Sequence, residues 1–146
     1  MNQPVRLLFL CTGNSCRSQM AEGLARELGR GGIQCVSAGT SPAAVHPLAL
    51  RAMAEVDIDI SAQKSKGMGA FVDQRFDFVI TLCDRAKETC PVWPDAREQI
   101  HWSIDDPAAV TGSDAQRMAT FRRVRDDIRR RIDLLILSNR IKVGER

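Results

Sequence analysis

The chain has 146 residues, 44% hydrophobic and 27% charged, globular values that exclude a disordered polypeptide and predict one domain, 1–146, around one core. Its net charge of +3 suits a small anion but is too weak to argue for nucleic acid. No stretch approaches the roughly 20 apolar residues of a membrane span, and the N-terminus lacks a long apolar segment with a cleavage site, so a cytoplasmic protein without membrane contact is expected.

Taken in order, Val5 to Leu10 is a short apolar run that reads as a buried strand, followed by the turn formers Cys11-Thr12-Gly13-Asn14-Ser15. A helical pattern runs from about Arg17 to Leu28, with Met20, Leu24 and Leu28 four residues apart, and Gly29, Gly31 and Gly32 stop it. Ile33 to Ser37 reads as a second strand. Pro47 can open a helix through Ala54, because proline is tolerated in a first turn. Ser61 to Gly69 is small and polar, and reads as loop. Phe76 to Leu82 reads as a strand ending at Cys83, followed by a polar stretch to Cys90-Pro91. Glu98 to Ser103 reads as a further strand, and Asp105-Asp106-Pro107 as a turn. From Asp114 to Leu137 the pattern is a long amphipathic helix, with Phe121, Val124, Ile128, Ile132 and Leu135 inward and the arginines and aspartates outward.

Strands alternating with helices predict an α/β fold, a three-layer α/β/α arrangement with a central four-stranded parallel sheet. Ligands of such sheets bind beyond the carboxyl ends of the strands. Cys11, Cys83 and the Asp105-Asp106-Pro107 turn each follow a predicted strand, so three chemically capable segments are expected on one edge.

Five cysteines, an odd number in a chain expected to be intracellular, do not suggest a structural disulfide framework. With no C-x-x-C and only His46 and His101, the sequence offers no zinc site, and neither metal nor cofactor is expected. Reactive thiols remain. Cys11 to Ser18 contains a C-x5-R spacing between a strand and a helix. In such a loop, Thr12, Gly13, Asn14, Ser15, Cys16, Arg17 and Ser18 can turn backbone N–H groups onto an anion, beside the positive end of the helix. Gly13 and Asn14 suit the left-handed positions of a curled loop. Arg17 offers a planar fork matched to a tetrahedral oxyanion. A cation and a helix N-terminus both favour thiolate over thiol, which makes Cys11 a candidate nucleophile that Ser18 could assist with its hydroxyl. Asp106, held before Pro107, is the candidate proton donor to a leaving oxygen, with Asp105 not distinguished from it by local sequence. The Cys16 side chain is expected to pack away from the anion, Cys35 to be a core residue, and His46 and His101 to be structural.

CTGNSCRSQMAEG at 11–23 with DDPA at 105–108 resembles the low-molecular-weight tyrosine phosphatases, and more closely the thioredoxin-coupled arsenate reductases built on that fold. The likeness extends through SAGT at 37–40, VHP at 45–47, VDIDIS at 56–61, TLC at 81–83, CP at 90–91, HW at 101–102 and FRRVRDDI at 121–128. It implies that Cys11 is the nucleophile, Arg17 the oxyanion binder and Asp106 the general acid, and that arsenate is the substrate, with phosphate or sulfate competing. A phosphatase needs one thiol, whereas two electrons must reach arsenic, and two thiols supply them on becoming a disulfide. The resemblance implies a Cys11–Cys83 disulfide passed on by exchange to Cys83–Cys90, which thioredoxin then reduces. Seven residues of intact helix span roughly 10.5 Å, but disulfide-bonded Cα atoms lie within about 7 Å. Any helix between Cys83 and Cys90 must therefore open on oxidation.

A monomer is expected. The alternatives are a low-molecular-weight phosphatase and a reductase that uses glutathione and glutaredoxin. Against the former, Ala108-Ala109 stands where such phosphatases usually carry tyrosines, and the chain has no tyrosine. Some relatives hold potassium near this loop with an asparagine, a glutamate, a serine and an aspartate. Asn14, Glu22 and Ser37 match three of these, but Lys66 stands in the aspartate's place, so potassium is not expected.

Overall fold

The computed structural model describes residues 3–82 and 96–138. Strand β1 (Val5–Cys11) runs into helix α1 (Arg17–Gly29), then β2 (Ile33–Gly39), α2 (Pro47–Ala54), a 3-10 turn at Met68–Phe71, β3 (Phe78–Thr81), β4 (Glu98–His101), a 3-10 turn at Pro107–Ala109 and α3 (Asp114–Leu137). The four strands form one parallel sheet in the order β2-β1-β3-β4. Leu7, Leu8, Phe9 and Leu10 are all fully buried. Successive strand side chains point to opposite faces, so this run is covered from both sides, as in the three-layer α/β/α fold the sequence predicts.

The local reasons for these elements lie in the sequence. α1 places Met20, Ala21, Leu24 and Ala25 in the core and ends where Arg30 and Gly31 take left-handed backbone (φ 48 and 84). α2 opens on Pro47 and is capped by His46, whose Nδ1 accepts the Leu48 N–H at 3.0 Å. α3 opens on a Ser113/Gln116 capping box and buries Phe121, Val124, Ile128, Ile132 and Leu135, the predicted stripe.

Three expectations need adjusting. Arg125 is not on the outer face of α3: it is 8% exposed, donates to the Ala52 carbonyl at 2.8 Å and pairs with Glu55 at 3.1 Å. Glu55 is also gripped by Arg122, and these bonds, Arg122 first, hold its carboxyl at about 2. The predicted loop at 61–69 ends in a 3-10 turn that begins at Met68. β3 is shorter than the predicted 76–82, although the N–H groups of Asp77 and Leu82, just outside it, still donate to the Arg6 and Leu10 carbonyls at 2.9 and 2.8 Å.

Candidate active site

The sheet order places the end of central strand β1 between β2 and β3, and residues 12–16 leave from there. The carbonyls of this loop are all engaged. Those of Cys11, Thr12, Gly13 and Ser15 accept from the N–H groups of Thr40, Ser41, Ala43 and His46 at 3.2, 2.8, 2.8 and 3.0 Å. The Asn14 carbonyl takes Gln19 Nε2 at 3.0 Å, and that of Cys16 takes the Met20 N–H at 2.9 Å. In a trans peptide the N–H points opposite to the C=O. With six successive carbonyls drawn outward, the amides that follow them face the inside of the curl, the geometry of an anion-holding nest. Cys16, the N-cap of α1, makes no side-chain capping bond, so the first-turn N–H groups of the helix face the same space. β2 ends in Gly39, where a Cβ would lie 2.6 Å from the Thr12 carbonyl oxygen, so only glycine lets the segment from 39 to 46 run this close.

Asn14 fixes the curl from beneath. It is fully buried with φ 47, in the left-handed region that asparagine tolerates. Its Nδ2 donates to Ser18 Oγ at 2.8 Å and Ser37 Oγ at 2.9 Å, while its Oδ1 accepts from Gln19 Nε2 at 3.0 Å and the Lys66 N–H at 2.8 Å. These partners also leave a consistent direction for the hydrogens. Ser37 gives its hydrogen to Glu22 Oε1 at 2.8 Å. Ser18 accepts from Asn14, which leaves its own hydrogen for Cys11 Sγ, 2.8 Å away. Cys11 itself is 2% exposed.

Arg17 is buried, with NH1 donating to the Ile104 carbonyl at 3.0 Å and NH2 3.9 Å from Asp106 Oδ2. Asp106 caps the Pro107–Ala109 turn, its Oδ1 accepting the Ala108 N–H at 3.0 Å. The two aspartates left open by sequence separate here. Asp105 is 81% exposed and lies 3.7 Å from Arg123, whereas Asp106 faces Arg17. A buried free thiol, an inward-facing set of amides, a guanidinium and a carboxyl group thus meet at one sheet edge, an arrangement suited to substitution at a tetrahedral oxyanion.

The low molecular weight phosphotyrosine protein phosphatase family model matches residues 6–144. The chain belongs to that family. Within it, the chain is 47% identical over 132 residues to an arsenate reductase of Halalkalibacterium halodurans, covering 90% of this chain and 94% of that one. Among solved structures it is similar to an arsenate reductase in the phosphate-binding state (TM-score 0.78, 39% identity, 92% and 98% of the two chains). It is also similar to a thioredoxin-dependent arsenate reductase of Corynebacterium glutamicum (TM-score 0.74, 28% identity), covering 95% of this chain and 63% of that one.

The remaining side chains of this phosphatase-family site divide clearly. Cys16 is 3% exposed, and burial pushes its thiol up to about 12. Cys35 donates its S–H to the Glu22 carbonyl at 3.1 Å and is likewise pushed up to about 12 by burial. His46 caps α2, and His101 Nδ1 lies 2.7 Å from Thr81 Oγ1. Cys83 and Cys90 lie outside the described residues. Sequence reasoning missed Gln19, Ser65 and the run from Thr40 to His46. Gln19 is fully buried and braces Asn14, and Ser65 donates to the Gly13 carbonyl at 3.1 Å. A buried glutamine inside an apolar helix face is the only signal that could have pointed to the first.

The residues at the position where some relatives hold potassium do not fit a cation. Asn14 Oδ1 already accepts two hydrogen bonds, and Lys66 Nζ stands 3.8 Å from Glu22 Oε1. Among the described residues, no group of three or more His, Cys, Asp or Glu could hold a metal ion, and no helix is long and apolar enough to cross a membrane.

Proposed function

We propose that this chain reduces arsenate to arsenite, acting in the cytoplasm as a monomeric single domain, 1–146. The observation that carries the proposal is the 47% identity, over nearly the full length of both chains, to a relative named arsenate reductase. The anion-shaped loop supports it, because arsenate has the charge and tetrahedral shape of phosphate. In the proposed sequence the nest of residues 12–18 and the Arg17 fork hold the oxyanion, and Ser18 stabilises the Cys11 thiolate. Cys11 attacks arsenic, and Asp106 donates a proton so that one oxygen leaves as water. A second thiol, Cys83, attacks the Cys11 sulfur. The S–As bond breaks, its electron pair stays on arsenic, and trivalent arsenite departs from a Cys11–Cys83 disulfide. Cys90 displaces Cys11 by exchange, and thioredoxin reduces the Cys83–Cys90 disulfide. Similarity to a relative described as thioredoxin-dependent supports that last partner.

The second reading is a phosphatase. It is favoured by the family description and by a loop, nucleophile and acid that would serve a phosphate monoester unchanged.

The test is NADPH consumption with arsenate, thioredoxin and thioredoxin reductase, for the wild type and for Cys83→Ser and Cys90→Ser. Arsenate-dependent turnover lost in both variants is the expected result. Turnover only with glutathione and glutaredoxin would overturn the thioredoxin step. No arsenate turnover, beside aryl phosphate hydrolysis retained by both variants, would establish the phosphatase.

A further inference from the structure

Glu22 is a carboxylate only 5% exposed, directly beneath the loop, and two cations face it. Arg26, one helical turn on and half exposed, meets Oε2 at 2.7 Å. Lys66 reaches the other oxygen, Oε1, at 3.8 Å, and this is the atom that receives the Ser37 hydroxyl. The lysine is tethered on every side. Its ammonium donates to the Lys64 carbonyl at 2.5 Å, its backbone N–H donates to Asn14 Oδ1 at 2.8 Å, and its carbonyl accepts the Gly39 N–H at 2.8 Å. One residue therefore supplies a charge to Glu22, a hydrogen bond to Asn14 and a hydrogen bond to the glycine that borders the loop.

We propose that Lys66 is a positioning residue for Cys11, its tethered ammonium serving as the fixed countercharge of Glu22. A carboxylate that is neutralised and held in place keeps Ser37 donating to it. Ser37 must then accept from Asn14, Asn14 also donates to Ser18, and Ser18 is left to donate to the Cys11 sulfur. Without the ammonium, Oε1 carries less compensated negative charge in a nearly dry setting and draws water or a free cation inward. A free cation would do the same work only at a sufficient concentration. The side chain does it regardless of the salt present. This inference rests on Cys11 being the nucleophile of the proposed function, but not on arsenate being the substrate.

The experiment follows the rate at which iodoacetamide alkylates Cys11, assigned by peptide mass, at neutral pH in KCl and in NaCl of equal ionic strength. Matching ionic strength removes general screening from the comparison. The wild type is expected to react equally fast in both salts. Lys66→Met, folded by its melting curve, is expected to react about two- to five-fold more slowly, the effect of one charge acting through partly buried surroundings. Lys66→Arg is expected to restore most of the rate. A folded Lys66→Met with the wild-type rate would overturn the proposal, since a merely packing role predicts that result. A wild type that reacts faster in KCl than in NaCl would also overturn it, and that comparison needs no variant to fold. Because no arsenate is used, failure of the reductase reading would show as absent arsenate turnover beside an unchanged Lys66 effect.

Discussion

Replacing Asn14 with alanine removes four hydrogen bonds at a fully buried position, those to Ser18, Ser37, Gln19 and the Lys66 N–H. Gln19 keeps the Asn14 and Lys64 carbonyls, and Ser37 keeps Glu22, so their losses are partial. The Lys66 N–H has no other acceptor close by in this network, and an unmatched buried donor costs about 1–3 kcal/mol. Alanine must also hold φ 47, a conformation worth about 1–2 kcal/mol against a residue with a Cβ and no local hydrogen bond. The sum is about 2–5 kcal/mol, a large fraction of the roughly 5–15 kcal/mol that stabilises a domain. Asn14→Gly loses the same bonds but adopts the left-handed backbone freely, and should recover about 1 kcal/mol of the deficit. Urea titrations with unchanged m-values measure both numbers. A cost below about 1 kcal/mol for Asn14→Ala, or a glycine variant no more stable than the alanine one, would refute the reasoning.

Asp106→Asn should lower arsenate turnover about 100-fold or more in steady-state kinetics, as loss of a general acid does. Asp105→Asn, which loses only an exposed pairing with Arg123, should stay within about three-fold. His46 is held below its ordinary value of 6.5 by burial first and by Arg117 second, and its neutral Nδ1 caps α2. The unfolded chain therefore binds the extra proton first. This stabilisation should be complete above pH 6.5 and fade as pH falls through the lowered folded value, a slope in urea midpoints that His46→Asn should flatten. Cys16 and Cys35, both pushed up to about 12, should resist iodoacetamide at pH 8 while Cys11 reacts, as read by peptide mass. Alkylation of either at the Cys11 rate would contradict that environment.

The strands, the helices and the curled loop after β1 were legible because their signals are local. Four apolar residues in a row at Leu7–Leu10, a four-residue period in α1 and a glycine stop need no knowledge of distant residues. What supports the loop was not legible, for the opposite reason. Four of its carbonyls are held by residues between Thr40 and His46, and its asparagine side chain by Lys66, contacts that exist only once β2 lies beside β1. Asp105 and Asp106 look alike in sequence, and only the position of Arg17 tells them apart. Arg125 was assigned outward because a polarity pattern cannot foresee the Ala52 carbonyl and Glu55 waiting across the α2–α3 joint.

The most direct test of the central claim is a single turnover without any external reductant. Fully reduced protein is mixed with excess arsenate, and arsenite and remaining thiols are counted after quenching. The account predicts one arsenite and the loss of two thiols per chain, abolished in Cys11→Ser. No arsenite, with all thiols intact in a folded protein, would contradict it.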